Sequence, residues 1–245
     1  AVKDLSNEWI LLNGNQTAAL IIHYMLTAWK NAGKLDGNQY IVKTVVTSYL
    51  LDKIADSFDV ECFNTLTGFK FIGELMTQLE GKKKFIAGGE ESYGYLIGEH
   101  VRDKDAVVSA VIISEMAAYY KDNGSSLYEA LLNIYAEYGV YQEKLVSITK
   151  KGKAGAEEIQ EMMKNFRSNP PKSLAGSNVV LIPSSNVLQF ITEGGAIISA
   201  RPSGTEPKIK FYCSVNSGGP SEEDYNSTKK KLEATITQIM EDLGA

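Results

Sequence analysis

Residues 40–87 read YIVKTVVTSYLLDKIADSFDVECFNTLTGFKFIGELMTQLEGKKKFIA, and the fold is decided there. Residues 40–46 form a β-branched run of the kind that fills a buried strand, and residues 60–63 and 84–87 repeat the pattern after gaps long enough for a helix. The gaps have helical periodicity. Leu51, Ile54, Ala55 and Phe58 share one face of a helix over residues 49–58, and Phe71, Ile72, Leu75, Met76 and Leu79 share one face of a helix opening near Thr67. Strands alternating with helices through short connections predict a mostly parallel sheet covered on both faces, a three-layer α/β/α domain. Each crossover then returns its loop to one edge, where open α/β sheets bind ligands. The loops delivered there are Thr47-Ser48, residues 64–68 and residues 88–94.

Working outward, residues 8–12 read as a leading strand. Residues 16–32 read as a helix with Ala18, Ile22, Met25, Leu26 and Trp29 as its apolar stripe. Downstream, helices are expected over residues 106–121 and 127–138, the second ended by Gly139. Beyond it the texture changes to an alternating strand at 140–149, an amphipathic helix at 157–166 and a loop at 169–171. Short strands at 178–182, 187–191, 196–200 and 208–215 precede a charged helix over 222–243. This predicts a smaller α+β domain, an antiparallel sheet backed by helices. The expected division is residues 1–138 and 139–245.

The 245 residues are 44% hydrophobic and 22% charged, enough apolar material for two ordinary domains. Lys and Arg number 25 against 30 Asp and Glu, a formal charge of −5, so there is no basic surplus for a nucleic-acid backbone. A site for an anionic ligand must therefore be a local concentration of donors. Cys62 and Cys213 are too few and too separated for a disulfide framework, and two His without clustered Cys argue against zinc. They fit reduced thiols in a cytoplasmic protein. No run approaches the roughly eighteen apolar residues of a membrane span, since the best candidate, residues 18–26, is broken by His23. No signal-peptide pattern is present.

The strongest chemical signal is Arg201-Pro202-Ser203-Gly204-Thr205-Glu206-Pro207-Lys208, a tight loop between two strands. An oxyanion needs convergent donors. The Arg201 guanidinium can bind two oxygens at once, the Ser203 and Thr205 hydroxyls can donate, and Gly204 lets backbone N–H groups come close. Lys210 shares a strand face with Lys208 and adds a point charge if that face looks toward the loop. Charge-assisted hydrogen bonds contribute about 1.5–3 kcal/mol each, so three or four would hold a dianion at an affinity on the order of micromolar. An ordinary Pro/Gly hairpin with a solvated Arg gives the same spacing. The second signal is Gly89-Glu90-Glu91-Ser92-Tyr93-Gly94, where a carboxylate beside a hydroxyl can accept from vicinal sugar hydroxyls. Neighbours in an extended segment point to opposite sides, so Glu90 and Glu91 do not make a glycosidase pair. The third is His100-Val101-Arg102-Asp103-Lys104-Asp105. His100 and Lys104 are candidates for moving a hydroxyl proton, and Asp105 reads as a helix cap.

Five motifs in order carry a resemblance across nearly the whole chain. They are Leu11-Leu12-Asn13-Gly14-Asn15-Gln16-Thr17, Thr65-Leu66-Thr67-Gly68-Phe69-Lys70, the stretch from Gly89 to Gly98, Val101-Arg102-Asp103-Lys104-Asp105-Ala106, and the Arg201 loop. Together they resemble the α-D-phosphohexomutase superfamily, in its bacterial phosphoglucomutase/phosphomannomutase branch. The resemblance implies four domains around a cleft, of which this chain supplies the third and fourth. Glu90 and Ser92 would then grip sugar hydroxyls, with Thr67 and Gly68 lining the same cleft. Arg201, Ser203, Gly204, Thr205 and Lys210 would hold the non-reacting phosphate, and Lys104 and His100 would serve proton transfer or contact the sugar phosphate. It implies Mg²⁺ and glucose 1,6-bisphosphate for a full-length enzyme that interconverts hexose 1- and 6-phosphates through a phosphoserine. It also implies hexose phosphate and the missing N-terminal domains as partners. The chain shows neither a phosphoserine loop nor an aspartate-rich metal loop, so no metal is expected on its own ligands. It begins with Ala1 and not Met, so it is expected to be a carboxyl-terminal fragment, inactive alone. A non-catalytic sugar-phosphate-binding module and a phosphopentomutase are the rival readings.

Overall fold

The computed structural model describes residues 1–181, 187–204, 206–220 and 224–244. The chain divides into two compact units, Ala1–Tyr138 and Gly139–Ala245.

In the first unit, β1 (Val2–Lys3) and β2 (Trp9–Ile10) form a two-stranded antiparallel ribbon. The expected strand over 8–12 is thus shorter and stands apart from the main sheet. Asp4 accepts the amides of Ser6 and Glu8 and ties the chain into a turn there, and Leu11 beyond it is 82% exposed. Helix α1 (Gly14–Asn31) starts before Gln16 because Asn13 and Gln16 form a reciprocal capping box, with bonds of 2.8 and 2.9 Å. There follow β3 (Gln39–Thr44), α2 (Leu50–Ser57), β4 (Glu61–Thr65), α3 (Phe69–Leu79), β5 (Lys84–Gly89), β6 (Tyr95–Ile97), α4 (Ala106–Asp122) and α5 (Leu127–Tyr138).

The sheet order is β4-β3-β5-β6. β3 runs parallel to β4 and β5, while β6 returns antiparallel to β5. The sheet is therefore mostly parallel, with an edge strand absent from the expected series. All six residues of β3 are buried, as a central parallel strand covered on both faces requires. Tyr40, Val42, Phe85 and Leu96 pack with Phe69, Ile72 and Met76 of α3. α1 and α2 pack on β5 and β4, and their Leu20, Ile21, Leu51 and Ile54 are buried.

The second unit contains β7 (Tyr141–Thr149), α6 (Gly152–Ser168), β8 (Ser173–Leu174), β9 (Ser177–Leu181), β10 (Leu188–Thr192), β11 (Ile197–Pro202), β12 (Lys208–Asn216) and α7 (Tyr225–Asp242). Its antiparallel sheet has the order β7-β12-β11-β10-β9-β8. Phe166 of α6 meets Phe190 and Phe211 edge-to-face at 5.7 and 6.1 Å, and Ile236 and Ile239 of α7 are fully buried. α6 begins five residues ahead of its apolar stripe, at Gly152. Ile182, Thr205 and Glu222, each assigned a place above, lie outside the described residues.

Candidate functional site

The Arg201 loop is the hairpin between β11 and β12. Their register sets Arg201 opposite Lys210 and Pro202 opposite Ile209. Residues directly opposite share a sheet face with Cβ atoms about 5 Å apart, and like charges so placed are destabilising. Two cations are therefore held together by backbone pairing and not by attraction. The loop is pinned from within: the Ser203 amide donates to the Lys208 carbonyl at 2.8 Å, and the Glu206 amide donates to Ser203 Oγ at 3.3 Å. Arg201, Ser203, Gly204, Lys208 and Lys210 line one depression of about 370 Å³, with Glu206 as its single carboxylate. None of the ion pairs found among the described residues involves Arg201, Lys208 or Lys210. A Cβ on Gly204 would meet nothing within 4 Å, so its backbone is open to approach. Thr205 lies outside the described residues.

In the first unit the loop from β5 to β6 is closed by the Glu90 amide donating to the Gly94 carbonyl at 2.8 Å. Glu90 Oε1 accepts the Gly68 amide at 3.1 Å. Gly68 is the N-cap of α3 and has no side chain to cap with, so Glu90 supplies an acceptor at a helix start. A Cβ at Gly94 would lie 2.6 Å from Lys104 Cδ and 3.2 Å from Glu90 Oε2. Only glycine lets both side chains close over this point. Lys104 Nζ donates to Asp103 Oδ1 at 2.8 Å and sits 5.0 Å from the centre of the Phe69 ring. Glu90, Gly68 and Lys104 are thus brought together from three separate motifs, with Thr67 next in the chain and Ser92 exposed on the same loop.

The loop is anchored to the start of α1. The Tyr93 hydroxyl donates to the Leu12 carbonyl at 2.9 Å and the Tyr95 hydroxyl to the Gly14 carbonyl at 2.8 Å. Burial pushes the Tyr95 phenol up. A Cβ at Gly14 would stand 1.9 Å from the Glu91 carbonyl oxygen, so two distant motifs meet backbone to backbone.

His100 has a different setting. Its Nε2 lies 2.8 Å from Asp105 Oδ2, while Asp105 Oδ1 accepts the Val107 and Val108 amides and caps α4. The hydrogen bond from His100, then that from Val108, holds the Asp105 carboxyl below the usual carboxylate range. The bonds of His100 place it with the cap of α4, whereas Lys104 stands with Glu90.

Lys43, near the carboxyl end of β3, was not singled out by its sequence context. It is fully buried, 3.0 Å from Asp52 Oδ2, with Nζ donating to the Thr47 carbonyl at 3.3 Å and lying 3.8 Å from the Tyr49 ring centre. The available signal was an acid nine residues on, in the helix that returns over the strand. Among the described residues no group of three or more His, Cys, Asp or Glu is placed to hold a metal, and no helix is long and apolar enough to cross a membrane.

A family model described as phosphoglucomutase/phosphomannomutase, alpha/beta/alpha domain III, matches residues 13–138. A phosphoglucomutase of Staphylococcus aureus (strain MRSA252) is 34% identical over 257 residues, covering 96% of this chain and 45% of that protein. A phosphoglucomutase of Staphylococcus haemolyticus is 30% identical over 235 residues, covering 87% and 42%. The chain spans less than half the length of these relatives. Among solved structures, the open form of parafusin, a phosphoglucomutase from Paramecium, superposes with a TM-score of 0.69 at 22% identity, covering 96% of this chain and 43% of that one. A phosphoglucomutase/phosphomannomutase family protein from Burkholderia thailandensis gives 0.59 at 13%, covering 96% and 43%. At those identities the likeness is one of fold.

Proposed function

Because the chain belongs to the phosphoglucomutase/phosphomannomutase family, we propose that it is the sugar- and phosphate-binding half of a phosphohexomutase. The observation that carries this reading is the Arg201–Lys210 pair, two cations directly opposed at the mouth of a hairpin without an ion-pair partner among the described residues. A phosphate dianion placed there turns repulsion into two charge-assisted contacts, with the Ser203 hydroxyl and the open backbone at Gly204 adding donors.

Glu90 and Ser92 take the sugar hydroxyls. The Gly68 amide fixes the Glu90 carboxylate, so little side-chain entropy is lost on binding. Lys104, over the Phe69 face and beside Asp103, is the group of this chain that exchanges a proton with the sugar hydroxyl. In the complete enzyme that hydroxyl oxygen attacks the phosphorus of a phosphoserine, the P–O bond to the serine breaks, and the hydroxyl proton passes to the Lys104 amine, which must first have shed its own proton to solvent. The same steps in reverse at the other end of the bisphosphate return the phosphoryl group. Serine and Mg²⁺ belong to the rest of the polypeptide, and this chain's residues bind, orient and exchange the proton. The relatives named phosphoglucomutase favour glucose phosphates, handled in the cytoplasm, where Cys62 and Cys213 stay reduced.

Titration with glucose 6-phosphate followed by backbone amide NMR tests the division of labour. The amides of Arg201, Ser203 and Gly204 should shift, and so should those of residues 90–94. Shifts at the Arg201 loop alone, with 90–94 unmoved at millimolar ligand, would remove the sugar-binding role.

A further inference from the structure

Polar side chains taken out of water must be paired to offset the loss of hydration. Lys43, Thr44, Thr47 and Ser48 are nevertheless all buried where β3 ends, and Asn15 of α1 is buried with them. Lys43 is the costliest of these, since replacing a buried ion pair by apolar side chains of similar volume is often neutral or better for stability. What an apolar side chain cannot do is donate a hydrogen bond. Lys43 Nζ reaches Asp52 and the Thr47 carbonyl. The turn it grips is closed by the Thr47 amide donating to the Thr44 carbonyl at 3.0 Å, and by the two threonine hydroxyls 2.9 Å apart. The next amide, that of Ser48, donates to Asn15 Oδ1 at 3.0 Å. Asn15 adjoins Gly14, whose carbonyl accepts the Tyr95 hydroxyl and at which a Cβ would strike the Glu91 carbonyl.

We propose that the buried Lys43–Asp52 pair, acting through Thr47, Ser48 and Asn15, positions the 90–94 loop for its ligand. The inference rests on the reading of that loop as the sugar site and adds the residues that hold it in place. Lys43 stands on the strand between the two that lead to Gly68 and Glu90, and in register it lies opposite Gly89, the residue before Glu90. Asp52 is itself held by Asn64 Nδ2, which donates to its Oδ1 at 3.0 Å, so the end of β4 joins the same network. Lys43 has no exposed surface. Its effect on a sugar therefore passes through the loop, and it is a positioning residue that touches no ligand.

The test compares three variants by calorimetric titration with glucose 6-phosphate, by urea midpoint and by amide NMR of the ligand-free chain. K43M/D52N removes both charges but keeps side-chain volume and an acceptor for Asn64. N15A cuts only the bond to Ser48, and N15D keeps that acceptor. The urea midpoint of K43M/D52N should stay close to that of the parent while affinity falls roughly five- to tenfold, the cost of ordering loop side chains on binding. N15A should lose as much and N15D should recover it. K43M/D52N/N15A should lose no more than K43M/D52N, because both cuts fall on one relay. In the free chain the amides of residues 90–94 should move in K43M/D52N and N15A and return in N15D. Unmoved amides, losses that multiply, or an N15D chain no better than N15A would each overturn the assignment. A K43M/D52N chain that does not fold would make Lys43 a stabilising residue and overturn its part, with N15A against N15D deciding for Asn15. If the parent shows no Arg201-dependent heat, the ligand reading fails, and the amides of the free chain still decide the positioning.

Discussion

Arg201 and Lys210 face each other across two hydrogen-bonded strands, an arrangement that costs free energy until an anion lies between them. Arg201→Ala should weaken glucose 6-phosphate binding by roughly 10- to 100-fold, the equivalent of one charge-assisted contact of about 1.5–3 kcal/mol. The same variant should melt no lower than the parent, because it removes repulsion. A clear fall in Tm by calorimetry would mean that Arg201 is structural. Gly14→Ala should act in the opposite way. Its Cβ would collide with the Glu91 carbonyl, so overpacking of about 1–3 kcal/mol is expected, along with weaker sugar-phosphate binding as the 90–94 loop is pushed off. An unchanged urea midpoint would contradict that contact. The loops themselves were legible because each is a contiguous motif whose donors and acceptors can be counted. Not legible were the contacts between loops. Glu90 on the Gly68 amide and Gly14 against Glu91 join residues 22 and 77 positions apart, and single-chain spacing carries no trace of them. His100 shows the same limit: proximity in sequence to Lys104 suggested a shared role, while its bond goes to the helix cap.

At the scale of elements, periodicity located the helices and strands because each buries one stripe or one run. It missed β6, three residues long, since Tyr95-Leu96-Ile97 lies within a motif read for its chemistry. It over-extended β2, where a turn at Asp4 and an exposed Leu11 prevail over the apolar run. It also passed over Lys43, whose charge suits a surface and whose burial follows from Asp52 one turn into the returning helix. One junction of elements makes a pH prediction. His23 of α1 sits edge-on to Phe58 and Tyr138, which follow α2 and end α5, at 5.8 and 6.3 Å. Its Nδ1 is buried without a hydrogen-bond partner. Burial lowers its pKa below the ordinary 6.5, against a smaller opposing pull from Glu137. The unfolded chain therefore takes up the proton first, and stability should fall as pH drops below about 6.5, with no contribution from this group above it. His23→Phe keeps the ring contacts and should flatten that slope in urea titrations between pH 7 and 5. A slope that persists in the variant would assign it elsewhere.

At the scale of the molecule, an acidic chain of net charge −5 concentrates three cations against one carboxylate in a single depression. Ligand attraction is therefore local, and binding should weaken with salt less steeply than a whole-surface field would require. The candidate sugar loop lies in the unit of residues 1–138 and the candidate phosphate loop in that of residues 139–245. The phosphoryl-transfer groups are assigned to the rest of the polypeptide, so the chain alone should show no conversion of glucose 1-phosphate in a coupled assay. The most direct measurement is calorimetric titration of the chain with glucose 1,6-bisphosphate, repeated on Arg201→Ala and Lys210→Ala. The account predicts saturable heat from the parent, weakened in both variants. No heat at millimolar ligand, or heat that neither substitution alters, would contradict it.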